Sequence, residues 1–206
     1  VLQANFQGDD GPAGQIEVRG GSFTGKISAN NIGYLEITGG TFSVNPSDYV
    51  AFGYDVVETA DGYVVSQSTS ENLTINNATQ LMKFAASVNA GNDYAGKTII
   101  LNRDIDLNNE EWTPIGTQDR PFSGTIKGNN KTISGLNNCL IKYATGNINI
   151  ADLNIEIKFN DGTADFVGGL IGVYDTKNST NITAEVLIKN VDVTGSIVAK
   201  DKAGGI

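Results

Sequence analysis

Two segments nineteen residues apart carry the same eight-residue pattern, and this repetition restricts the possible folds more than any other feature of the chain. Ile16-Glu17-Val18-Arg19-Gly20-Gly21-Ser22-Phe23 aligns with Leu35-Glu36-Ile37-Thr38-Gly39-Gly40-Thr41-Phe42. Each copy holds two alternating aliphatics, a Gly pair, a small hydroxyl residue and a Phe. Alternation of period two places the aliphatics on one face of a strand and the charged residues on the other. The Gly pair permits a sharp corner that a side chain would obstruct. A unit this short cannot bury its apolar face alone, so it must stack on copies of itself.

A second set of repeats fills the C-terminal half. Ile133, Ile150 and Ile188 each stand three residues before Leu136, Leu153 and Val191, and the last two units continue through Ile155 and Val193. Val167-Gly168-Gly169-Leu170 recurs as Ala203-Gly204-Gly205-Ile206, 36 residues later. Constant strand cores with variable spacing are expected when loops of different length leave the corners of a coil. Asn108-Asn109, Asn129-Asn130 and Asn137-Asn138 mark such corners, because Asn tolerates left-handed backbone.

Between the two sets the pattern changes. Residues 54–65 read as a hairpin with Asp61-Gly62 as its turn, and residues 66–72 as a polar connection. Residues 79–89 carry Leu81, Met82, Phe84, Ala85 and Val88 at helical spacing, with Gly91 placed to end the helix. Solenoids need caps where their end strands would expose core and unpaired edges. The reading is therefore all-β: a right-handed parallel β-helix in two consecutive segments, residues 1–68 and 69–206. The first ends in the hairpin, and one short α-helix caps the second. The 25 glycines and the short Ile, Val and Leu runs suit many strands separated by turns. The competing architecture, an antiparallel β-sandwich, fits less well, because the Gly-pair corners recur like rungs rather than alternating like hairpins.

Composition removes whole classes of chemistry. Histidine is absent, so Ser-His-Asp and Cys-His catalysis and all His-based metal sites are excluded. Cys139 is the single cysteine; between Asn138 and Leu140-Ile141 it reads as a small buried apolar residue rather than a nucleophile. A net charge of −9 repels phosphate backbones and argues against nucleic acid as a partner. No apolar run has the length of a membrane span. The chain opens at Val1 and stops within a repeat at Ile206, as expected of a segment of a longer polypeptide.

These residues also carry a resemblance. Lys97-Thr98-Ile99-Ile100-Leu101, Asp104-Ile105-Asp106-Leu107, Trp112-Thr113-Pro114-Ile115-Gly116 and Phe122-Ser123-Gly124-Thr125 resemble the lead-in found in large surface proteins of gut bacteria, followed here by the Gly-Asn-Asn-Lys-Thr-Ile-Ser-Gly-Leu motif at residues 128–136. Val167-Gly168-Gly169-Leu170-Ile171-Gly172 is similar to the GLUG repeat of bacterial adhesins and of the stalks of some secreted peptidases. The resemblance implies an exported, multidomain bacterial surface protein with a right-handed β-helix, and it implies no catalytic residues.

Candidate chemistry gathers in residues 104–120. Asp104 and Asp106 flank Ile105 in a strand-like run, so both carboxylates point outward on one face, roughly 6–7 Å apart. That spacing suits a glycosidase pair or calcium ligation. The simpler reading makes them exposed acids at a strand end, one bonding a turn amide. Glu110, Glu111, Asp119 and Arg120 lie close in sequence. Trp112, the single tryptophan, would either stack on a sugar ring or pack its loop onto the coil. The leading expectation is a non-catalytic module of an exported, cell-surface protein, acting as adhesin, glycan-binding segment or stalk. Its partners would be host or dietary glycans or host surface proteins, and calcium is the one cofactor to consider. The alternative is a β-helical polysaccharide-active enzyme, a glycosidase or lyase, with Asp104 and Asp106 in its cleft.

Overall fold

A computed structural model describes residues 2–4, 16–29, 35–92, 94–108, 110–161, 166–175, 184–198, 200 and 202–205. Strands predominate, most of their pairings are parallel, and the chain divides into two compact units, residues 1–70 and 71–206.

The first unit contains β1 (Leu2–Ala4), β2 (Ile16–Val18), β3 (Ser22–Phe23), β4 (Ile27–Ala29), β5 (Leu35–Ile37) and β6 (Gly40–Phe42). A 3-10 turn at Ser47–Tyr49 leads to β7 (Tyr54–Thr59) and β8 (Gly62–Gln67). β2 pairs in parallel with β5, and β3 with β6. Ile16 lies beside Leu35 and Phe23 beside Phe42, the nineteen-residue offset of the sequence repeat. Stacking brings identical side chains together. The Phe23 and Phe42 rings lie 5.1 Å apart at 12°, and the Ser22 and Thr41 hydroxyls bond at 2.8 Å.

The Gly pairs explain themselves in the same stack. A Cβ on Gly39 would lie 2.5 Å from the Arg19 carbonyl oxygen, and one on Gly40 would lie 2.9 Å from that of Gly21. Two corners lie backbone on backbone here, so the second must lack side chains. β6 then pairs antiparallel with β8, and β8 with β7. Thr59 lies opposite Gly62, so Ala60 and Asp61 form the hairpin loop rather than Asp61 and Gly62, and Gly62 opens β8 at φ 125°. Val18, Leu35, Ile37, Phe42, Val50 and Val65 form the core, with Tyr49, Tyr54 and Tyr63 packed against it.

The second unit contains β9 (Asn72–Ile75), α1 (Ala78–Asn89), β10 (Thr98–Leu101), β11 (Ile105–Asp106), β12 (Phe122–Leu136) and β13 (Ile141–Asn160). β14 (Phe166–Gly168), β15 (Ile171–Tyr174), β16 (Val186–Val198) and β17 (Lys202–Gly204) follow. Among the described residues, all of its strand pairings are parallel. β9, β10, β12 and β13 lie in order, β11 also pairs with β12, and both β15 and β16 pair with β13. Three columns of aliphatics result. Leu73, Ile99, Ile126, Ile150 and Ile188 form one, and Ile105, Ile133, Ile155 and Val193 the second. Ile115, Ile141 and Ile171 form the third. Most of these side chains are fully buried, each contributing about 1.5–3 kcal/mol of hydrophobic stabilisation. β14 pairs with β17 at the 36-residue offset of the Gly-Gly repeat, with Val167 beside Ala203 and Gly168 beside Gly204; Ile206 lies outside the described residues.

One expected alignment is corrected. Ile150 pairs with Ile188 and Leu153 with Val191, but Ile133 lies beside Ile155 rather than Ile150. The partner is set by the pairing offset: Ile126 already lies beside Ile150, 24 residues on, and the offset falls to 22 where β12 places Gly128, Asn129 and Asn130 against the single residue Asp152, which brings Ile133 beside Ile155. Asn129, Asn130, Asp152 and Asn190 all hold left-handed backbone, φ 51–56°, at this same level of the stack. Asn108 does likewise, at φ 53°, whereas Asn137 and Asn138 bend the chain with φ negative and use their side chains instead. Asn109 lies outside the described residues.

α1 follows from capping and one apolar stripe. Asn77 accepts a hydrogen bond from the Gln80 amide at 2.9 Å, and Gly91, at φ 114°, donates to the Val88 carbonyl at the other end. Leu81, Phe84, Ala85 and Val88 are buried, and Phe84 meets Phe122 edge-on at 5.8 Å.

Candidate functional site

The segment from Asp104 to Arg120 contains β11 and the connection that leads to β12. Asp104 and Asp106 are both exposed and flank buried Ile105, so their carboxylates do share an outward face. Each already holds a backbone amide: Asp104 accepts from Thr132 at 2.9 Å, and Asp106 from Asn108 at 2.8 Å. The second bond closes an Asx turn that supports the left-handed Asn108. Asp106 therefore shapes a turn, whereas Asp104 ties its segment to strand β12. Among the described residues, no three His, Cys, Asp or Glu side chains come together to hold a metal ion.

Trp112 corrects the stacking expectation. Its side chain is only 3 % exposed, and the indole Nε1 donates to the Cys139 carbonyl at 2.9 Å. Its backbone amide donates to Asn137 Oδ1, whose amide group returns to the Glu110 carbonyl. A ring so enclosed offers no face to a sugar; it anchors the loop to the end of β12. Only an edge of it reaches an apolar groove of about 520 Å³ between α1 and residues 111–113, lined also by Met82, Ala86 and Ala90. Asn89, on the same rim, is occupied at both ends, donating to the Pro114 carbonyl and accepting from the Gly116 amide.

Asp119 is exposed in a tight turn in which Thr117 and Arg120 exchange backbone hydrogen bonds. The Arg120 guanidinium donates to the Ala90 carbonyl at the C-terminal end of α1, where a cation complements the helix dipole. The 104–120 segment thus brings Asp104 and Asp106 together, buries Trp112 and sets Asp119 in its own turn. No buried side-chain polar atom among the described residues lacks a partner. Cys139 is fully buried, and burial pushes its thiol up to about 11, so it holds its proton at neutral pH and is no nucleophile.

One constellation escaped sequence reasoning. In the first unit, Ser22, Thr24, Thr41 and Ser43 lie exposed around the Phe23–Phe42 stack, beside a groove of about 330 Å³ whose wall holds Thr59 and Asp61. The repeat showed the Ser22–Thr41 match, but only the pairing of β6 with β8 brings the hairpin loop alongside. No helix among the described residues is long and apolar enough to cross a membrane. No family model, curated protein or solved structure matches the chain.

Proposed function

We propose that the chain is a non-catalytic repeat module of an exported bacterial surface protein, with its second unit coiled as a right-handed parallel β-helix, and that it presents a glycan-binding face. One observation carries this reading. The chain visits the three aliphatic columns in the same order in successive passes: Ile99, Ile105 and Ile115; then Ile126, Ile133 and Ile141; then Ile150, Ile155 and Ile171. Cyclic return to the same columns with only parallel neighbours is what a coiled chain produces, and loops of unequal length between passes leave the columns intact. The left-handed residues Asn129 and Asn130, Asp152 and Asn190 supply a corner between the first two columns in the passes that follow the first, tied by a 2.8 Å bond from Asn190 to Asp152.

The same observations favour binding over catalysis. The carboxylates at Asp104 and Asp106 each accept a backbone amide, Asp104 from strand β12 and Asp106 within its own turn, and no buried side-chain polar atom among the described residues lacks a partner. The acidic, extended surface suits neutral repetitive ligands better than phosphates. The resemblance of residues 97–136 and 167–172 to gut-bacterial surface proteins and GLUG repeats supports export and a place at the cell surface.

The test is a glycan-array screen of the folded chain, with and without calcium, beside Asp104→Ala/Asp106→Ala and Trp112→Ala variants. Calcium-independent binding to neutral glycans that survives both variants is expected. Hydrolysis or elimination products from any polysaccharide, lost in the Asp104→Ala/Asp106→Ala variant, would replace this reading with an enzyme.

A further inference from the structure

We infer that the hydroxyl-lined groove of the first unit is a binding site for a neutral saccharide. This inference rests on the glycan-binding reading and gives it a place. Phe23 and Phe42 turn toward the core and stack, which by strand alternation turns Ser22, Thr24, Thr41 and Ser43 outward. Parallel pairing sets the two strands about 4.8 Å apart and same-face residues about 6.6 Å apart along them, and it brings the Ser22 and Thr41 oxygens to 2.8 Å from each other. The hairpin loop adds Thr59 and Asp61 as one wall, and Tyr63 contributes a half-buried phenol to the lining.

The hydrogen-bonding capacity of this patch is mixed, as hydroxyl-rich ligands require. The Ser43 hydroxyl oxygen accepts from the Gly25 amide at 3.0 Å, which leaves its proton to donate outward. The Thr59 hydroxyl donates to the Gly62 carbonyl at 3.0 Å, which leaves its oxygen to accept. One hydroxyl hydrogen bridges Ser22 and Thr41, the Thr41 hydroxyl also lies 3.5 Å from the Gly21 carbonyl, and both oxygens keep lone pairs. The Asp61 carboxylate is exposed in the loop and can accept from two adjacent hydroxyls at once.

Among the described residues no lysine or arginine lines the groove, so a phosphate or uronate would meet Asp61 without a compensating charge. Apolar ligands would leave the hydroxyls unmatched. At about 330 Å³ the groove accepts one or two sugar units rather than a long chain. The ligand class that fits is an uncharged sugar with vicinal hydroxyls.

The experiment is a titration of the ¹⁵N-labelled full chain with soluble neutral tetrasaccharides of β-1,4-glucose, β-1,4-mannose, β-1,4-xylose and α-mannose, followed by amide chemical shifts. The Asp61→Asn and Thr41→Val variants are titrated in parallel. For at least one sugar, shifts should concentrate at residues 22–24, 41–43 and 59–64, and each variant should weaken that sugar about tenfold. Folding of the variants is read from unchanged amide shifts elsewhere. Shifts that map outside these segments, or affinity unaltered in both variants, would overturn the site while leaving glycan binding in place. No shift with any sugar, and no hit on the array, would overturn the site and the glycan-binding reading together.

Discussion

Trp112 and Cys139 show at the residue scale how burial converts suggestive chemistry into structure. A tryptophan next to carboxylates invites a sugar-stacking role, but here its ring is enclosed and its N–H is committed to the Cys139 carbonyl. Trp112→Phe should cost about 1–3 kcal/mol, the penalty of leaving that buried carbonyl unpaired. Trp112→Ala should cost about 3–5 kcal/mol. Urea unfolding measures both, and a loss below about 0.5 kcal/mol for the alanine variant would contradict the burial. Cys139 carries a pH signature. Its thiol titrates near 11 in the fold against 9.0 ordinarily, because burial disfavours the thiolate. The folded state therefore holds the proton more tightly than the unfolded chain. Its contribution to stability is complete below pH 9 and is lost as pH rises toward 11, by up to about 1.4 kcal/mol per pH unit. Cys139→Ala removes this term, so its stability should fall less steeply than the parent's between pH 9 and 11. Parallel curves for the two proteins in denaturant titrations across that range would sink the assignment.

Corners decide the register at the element scale. The Gly39–Gly40 corner lies on the backbone at Arg19 and Gly21, so Gly39→Ala drives a methyl to within 2.5 Å of a carbonyl oxygen. The two paired segments must separate, at a cost of roughly 2 kcal/mol or more, whereas Gly20→Ala meets nothing within 4 Å and should cost much less. Thermal unfolding of the two variants compares them directly. The corner at Asp152 behaves differently because its φ of 55° is the issue, not space. Both Asp152→Gly and Asp152→Val lose the bond from Asn190, but glycine takes the left-handed backbone without strain, so the valine variant should be roughly 1–2 kcal/mol less stable than the glycine variant. Equal stability of those two variants would show that the corner bears no such strain.

Exposure grades across the stack at the scale of the whole molecule. β13 is paired on both sides along much of its length, by β12 on one side and by β15 and β16 on the other. β16 continues the columns of Ile150, Leu153 and Ile155 but leaves Val186, Leu187 and Val198 42–50 % exposed. Amide hydrogen exchange should therefore be slowest for Ile150–Ile155 column residues in β13 and fastest, among strand residues of that unit, in β16. Equal protection of β13 and β16 would mean that a further strand or another chain covers the β16 edge.

Much of this organisation is legible in the amino-acid order because parallel stacking sets equivalent residues directly on top of one another. The offsets of 19 and 36 residues reappear as the pairings of Ile16 with Leu35 and Val167 with Ala203. The helix is legible for a separate reason: Leu81, Phe84, Ala85 and Val88 form one stripe, and Gly91 ends it, all within a local window. What only the tertiary structure decided lies where spacing is irregular or where distant segments meet. Ile133 resembles Ile150 in its local pattern, yet β12 pairs with β13 at an offset of 24 residues that falls to 22 past Asp152, so Ile150 meets Ile126 and Ile133 meets Ile155, and local pattern carries no record of the partner strand's length. The enclosure of Trp112 depends on Cys139, 27 residues away, and the groove at Asp61 on a hairpin folding back against β6. Strand cores and caps are set by neighbours along the chain, whereas burial and register are set by neighbours in space.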